Sequence, residues 1–140
     1  SYKEYCRQII SNAKALAGRL VEHDFNLVSG GTDNHLMLID LTNKDISGKA
    51  AEKALEAAGI TTNKNMVPFD KRSPFITSGV RIGTPAMTTR GMKEDEMVRI
   101  ADLINRVLSD HKNDSNIEKV RSAVRELCGR FVLYQHLYEG

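Results

Sequence analysis

All three prolines of this 140-residue chain, Pro68, Pro74 and Pro85, fall in one stretch, residues 63–91 (NKNMVPFDKRSPFITSGVRIGTPAMTTRG). Three of its ten glycines, Gly79, Gly83 and Gly91, lie there too. Proline locks φ and glycine releases it, so the backbone path of this stretch is prescribed residue by residue. Within it, residues 78–83 read as a short apolar strand in which Val80 and Ile82 point one way and Arg81 the other. A shaped loop that delivers an arginine from a strand is a means of clamping a carboxylate or a phosphate.

The rest of the chain reads as helices around short strands. Tyr5, Ile9, Ala13, Leu16, Leu20 and Val21 recur at helical spacing, which predicts an amphipathic helix from residue 2 to about 23. Residues 25–29 are a strand candidate, and SGGTDN at 29–34 is a turn cluster. Residues 35–41 (HLMLIDL) predict a strand buried on both faces. A second helix is expected over 47–58, with Ala51, Ala54, Leu55 and Ala58 on one face and Gly59 as its stop. Residues 60–63 suggest another short strand. Pro85 is placed to open a short helix that Gly91 ends. Glu94, Asp95 and Glu96 suit the first turn of the next helix, whose stripe is Met97, Ile100, Ala101, Ile104, Val107 and Leu108. Ser115 with Glu118 predicts a capping box for a last helix with the stripe Ile117, Val120, Val124, Leu127 and Phe131. The pattern is a single α+β domain over residues 1–140: a small, mostly antiparallel sheet covered by helices.

Composition excludes several classes of function. The net charge of +2, with Lys and Arg dispersed among Asp and Glu, argues against nucleic acid. No apolar run reaches the ~18 residues of a membrane span. Cys6 and Cys128 each sit at an apolar helical position, as reduced core residues of an intracellular protein do. His23, His35, His111 and His136 are too scattered to share a metal. The sequence opens inside a helical pattern without methionine, which suggests a piece of a longer protein.

Arg81 leads the candidate site residues; the alternative is an edge-strand arginine paired with a surface aspartate. Asn63 and Asn65 bracket Lys64, and their amides could read a heteroaromatic edge or merely satisfy a turn. Ser73, Pro74 and Phe75 could line a ligand groove, or Phe75 could plug the core beneath the loop. The glycine-rich turn at 29–34 lacks phosphate-loop spacing. Asp33 and His35 fit a structural hydrogen bond better than a catalytic pair.

Three blocks of the chain resemble serine hydroxymethyltransferases: residues 29–36 (SGGTDNHL); Asn63-Lys64-Asn65 followed by Pro68; and Ser73-Pro74-Phe75 leading to residues 78–86 (SGVRIGTPA), closed by Thr89-Arg90-Gly91. The likeness extends from the opening helix, with NAKAL at 12–16, to about Tyr134, and places the chain as the C-terminal domain. It implies the small domain of a fold-type I pyridoxal-phosphate enzyme that interconverts serine plus tetrahydrofolate with glycine plus 5,10-methylenetetrahydrofolate, a cytoplasmic homodimer when full-length. By this likeness Arg81 binds the amino-acid carboxylate, Asn65 contacts the pterin ring, and Ser73, Pro74 and Phe75 lie beside the folate; no catalytic residue, cofactor ligand or metal ligand falls in the chain. The family's cofactor lysine, which follows a threonine-rich run and a histidine, is missing, and Thr61-Thr62-Asn63-Lys64 only imitates it. The 140 residues alone are therefore expected to be inactive, their partners being the rest of their own chain and a second subunit. The remaining alternatives are a stand-alone carboxylate-binding module and the small domain of another fold-type I pyridoxal-phosphate enzyme.

Overall fold

The computed structural model describes residues 2–28, 36–83 and 91–130. Helix α1, Tyr2–Glu22, buries Asn12, Ala13, Leu16, Ala17 and Leu20, the single stripe that 3.6-residue spacing provides. Val21 was expected on that stripe but is 55% exposed, because it is rotated about 100° past Leu20. The chain then turns through Asp24 at φ 66° into β1, Asn26–Leu27. Of the described residues of the expected 25–29 strand only these two pair, while Phe25 drops into the core.

Strand β2, Leu36–Asp40, buries Met37 and Ile39 but leaves Leu38 and Asp40 half-buried. Burial on both faces was expected; the described helices cover the face that carries Met37 and Ile39. After a 3-10 turn at Thr42–Lys44, Ser47 caps α2, Gly48–Ala57, by accepting from the Ala50 N–H. Gly59 at φ 87° ends that helix in the left-handed conformation that glycine adopts without penalty. Strand β3 spans Asn63–Asn65, not 60–63. Ile60 is held at the helix end, its N–H bonded to the Leu55 carbonyl, and is buried in the core, so pairing begins only beyond it.

Strand β4, Gly79–Gly83, completes a four-stranded, wholly antiparallel sheet in the order β1-β2-β4-β3. Helix α3, Glu94–Ser109, carries the expected stripe and adds Leu103 to it. Helix α4, Asp114–Gly129, is capped by Asn113, which accepts from the Asn116 N–H; Ser115 lies inside the first turn and is not the cap. Val120 and Leu127 are buried while Ile117 and Val124 pack at the core's margin. The turn at 29–34 with Asp33, together with His35, the helix expected from Pro85, Thr89 and Arg90, Phe131 and Tyr134 lie outside the described residues.

The core lies between the sheet's Met37, Ile39, Val80 and Ile82 and the stripes of the helices. Polar ties to α3 and the segment before it hold α1 in place, Gln8 Nε2 donating to Glu94 Oε1 at 2.9 Å among them. Buried Asn12 donates to the Met92 carbonyl at 3.0 Å, and Arg19 Nε and His23 Nε2 both meet Asp102 Oδ1 at 2.6 Å. Cys128 packs against the core, whereas Cys6 is only half-buried and stands outside it. Among the described residues no helix is long and apolar enough to cross a membrane.

Candidate functional site

The antiparallel register decides what surrounds Arg81. It pairs with Leu38 of β2 on one side and Asn63 of β3 on the other. Val80 and Ile82 are 0% and 1% exposed, so the alternation of a strand turns Arg81 to the opposite, open face. Strand β4 is interior to the sheet, which rules out the edge-strand alternative. Nor is an aspartate the partner among the described residues: Asp40 Oδ1 accepts from the Thr42 N–H and hydroxyl, at 2.9 and 2.6 Å. Instead Arg81 Nη2 donates to Asn65 Oδ1 at 2.8 Å.

That bond joins two residues that the family resemblance assigns to different ligands. Asn65 is the diagonal cross-strand neighbour of Arg81, two residues along from Asn63, within reach of a long side chain. Its Nδ2 donates to the Met66 carbonyl at 2.8 Å, so both ends of the amide are oriented. A guanidinium has five N–H donors arranged as a fork, and among the described residues one of them is engaged, by Asn65. Asn65 retains a lone pair and one N–H, a donor–acceptor pair side by side.

Gly79, two residues before Arg81, lies where the backbones of neighbouring strands come close. It is buried, and a Cβ there would stand 2.8 Å from the Ile39 carbonyl and 3.0 Å from the Asn65 carbonyl. Its small size lets β4 lie close against β2 and β3 at this point.

Residues 67–78 form a second part of the site. Residues 67–70 make a tight turn, the Asp70 N–H bonding the Val67 carbonyl at 3.1 Å, with Pro68 and Phe69 as its central residues. Ser73 accepts from the N–H groups of Ile76 and Thr77, so residues 73–77 make one helical turn with Pro74 at its start, where a missing N–H does no harm. Phe75 is 79% exposed on that turn, which excludes the core-plug alternative. Met66, Phe69 and Ile76 are exposed as well, giving this loop an apolar rim. Among the described residues no hydrogen bond joins Ser73, Pro74 or Phe75 to Arg81; they sit on a neighbouring loop of the same segment.

Sequence reasoning missed the residue that shapes this loop. Asp70 accepts from the Val67, Arg72 and Ser78 N–H groups at 3.2, 2.9 and 2.8 Å and from the Ser78 hydroxyl at 2.6 Å. Burial pushes its carboxyl upward, but the hydrogen bonds from the Ser78 hydroxyl and from the Arg72, Val67 and Ser78 backbone outweigh it, and the group titrates at about 2. Arg72 Nη1 adds a bond to the Ser78 hydroxyl at 3.0 Å. The available signal was an aspartate two residues after a proline and two before an arginine, the setting of an Asx turn.

Lys64, the lysine of the threonine-rich decoy, is in register with Val80 and so alternates away from Arg81, and its N–H donates to Glu52 of α2. Among the described residues, the segment thus brings together a guanidinium fork, an amide edge and an apolar rim. The model of the serine hydroxymethyltransferase family matches residues 1–104, which takes in the whole sheet, α1, α2, both parts of this site and most of α3. The chain belongs to the serine hydroxymethyltransferase family.

Proposed function

We propose that this chain is the C-terminal domain of a serine hydroxymethyltransferase and that it supplies the substrate-recognition side of the active site. The full-length enzyme interconverts serine plus tetrahydrofolate with glycine plus 5,10-methylenetetrahydrofolate and works in the cytoplasm as a homodimer. The observation that carries this reading is Arg81 on the open face of an interior strand, its fork oriented by Asn65 at 2.8 Å. Arg81 takes the α-carboxylate of serine or glycine in two parallel hydrogen bonds, which fixes how the amino acid is rotated about its Cα. Asn65 offers its remaining lone pair and N–H to the pterin ring of the folate, whose edge carries the complementary acceptor and donor. Ser73, Pro74 and Phe75 flank the folate on the adjoining loop, Phe75 with an exposed ring against which an aromatic ligand can stack.

The family depends on pyridoxal phosphate, and the described residues do not fit it. Lys64 alternates to the face away from Arg81, in register with Val80. The lysine that carries the cofactor belongs to another part of the enzyme, and what these residues contribute is binding and orientation.

The test uses the full-length enzyme with serine and tetrahydrofolate, following glycine formation. Asn65→Ala is expected to raise the KM for tetrahydrofolate about 10- to 100-fold, the range for loss of a substrate hydrogen bond in a built site. An unchanged folate KM in that variant would remove Asn65 from the folate site.

A further inference from the structure

Residues 67–78 hold a shape that their own sequence does not favour. Phe69 and Thr77, near either end of the loop, have φ of 59° and 60°, in the left-handed region that bulky and β-branched side chains avoid. Something must hold them there. Helix α2 contributes two ties, its Gly48 and Lys49 N–H groups donating to the Thr77 and Ile76 carbonyls at 3.1 and 2.9 Å. Within the loop, Asp70 gathers the ends: three backbone N–H groups and one hydroxyl, drawn from residues 67, 72 and 78, converge on its two oxygens. All four contacts are donors, so an ionised carboxylate, which only accepts, is the one side chain of this size that satisfies them together.

We propose that Asp70 is a positioning residue of the folate subsite: its carboxylate preforms residues 67–78, so that Ser73, Pro74 and Phe75 meet the folate already in place. This rests on the folate reading given above. A loop that must order itself on binding loses affinity to that ordering, and a preformed loop does not. The carboxylate touches no ligand; it acts through the turn that presents Phe75. Arg72 closes the arrangement from outside, its guanidinium on the Ser78 hydroxyl at 3.0 Å.

The experiment compares Asp70→Asn, Ser78→Ala and Asn65→Ala in the full-length enzyme, measuring KM for serine and for tetrahydrofolate, kcat and thermal midpoint. Asparagine keeps the size of the side chain but presents an NH₂ to N–H donors, so contacts are lost whichever way the amide turns. Asp70→Asn is expected to raise the KM for tetrahydrofolate about tenfold or more while kcat and the KM for serine stay within about twofold. Ser78→Ala, which removes the hydroxyl but keeps its N–H bond to Asp70, is expected to give a smaller rise of about threefold, and it carries the test should Asp70→Asn not fold. A merely structural aspartate would lower the thermal midpoint and kcat with both KM values unchanged, and that result overturns the proposal. If Asn65→Ala raises the folate KM and the other two variants do not, the Asp70 inference fails and the folate reading stands. If none of the three moves it, the folate reading fails and this inference with it.

Discussion

Phe69 shows how much a single residue's conformation can disagree with its side chain. Residues 67–70 carry Pro68 and then a residue at φ 59°, an arrangement that calls for glycine or asparagine at the second central position. A phenylalanine there costs about 1–2 kcal/mol against an unstrained residue, and because it is 100% exposed it recovers little from packing. Phe69→Asn is therefore expected to stabilise the protein by about 0.5–1 kcal/mol, read as a higher thermal midpoint. Asp70, next to it, gives a pH prediction. Its folded pKa of about 2 lies below the unfolded value, so its hydrogen bonds add stability that is fully present above about pH 4. That contribution fades as the pH falls through about 2, and an acid titration of stability should show the Asp70→Asn variant losing this slope. Of the residue-level features, Arg81 was legible because a charged side chain alternating with Val80 and Ile82 is visible in the string itself. Asp70 was not, since its four donors come from positions spread over residues 67–78 and meet only once the loop is closed.

At the scale of elements, α2 is tied to the loop over residues 67–78. Its first N–H groups, which no helical carbonyl can satisfy, are taken by Ser47 and by the carbonyls of Ile76 and Thr77. Gly48 stands where a Cβ would collide with the Thr77 hydroxyl and the Gly79 carbonyl. Gly48→Ala is thus expected to cost about 2 kcal/mol or more, because backbone cannot yield as a flexible side chain can. Ser47→Ala, losing only the cap, should cost about 1 kcal/mol. Chemical denaturation of the two variants separates these amounts, and equal effects would count against the steric account. The helices themselves were well marked by 3.6-residue spacing, including α3 with its acidic first turn. Strand limits were less so: residues 60–63 have strand-like composition, but the Leu55 carbonyl and the core claim Ile60, and pairing moves to Asn63–Asn65. The cap of α4 was misplaced because Asn113 and Ser115 are both good cap residues, and only the geometry after Asp110, which Asn113 Nδ2 bonds at 2.9 Å, selects between them.

For the whole molecule, the sheet is an open-faced layer: helices bury Met37, Ile39, Val80 and Ile82, and the other face presents Arg81 with Asn63 and Asn65 beside it. That the described helices would bury only one face was not readable from the apolar run of β2, whose Leu38 is as hydrophobic as its buried neighbours. On the proposed reading this face supplies only part of the substrate site, and the 140 residues alone are expected to show no turnover of serine and no tight folate binding by calorimetry. Equilibrium binding of serine to the full-length enzyme carrying Arg81→Lys or Arg81→Ala tests the proposed grip of Arg81 on the amino-acid carboxylate. The expected loss is about 2–5 kcal/mol, roughly 30- to 5,000-fold in Kd, since a lysine cannot reproduce the two parallel bonds and an alanine makes none. Serine binding within a few-fold of the unmodified enzyme would contradict it.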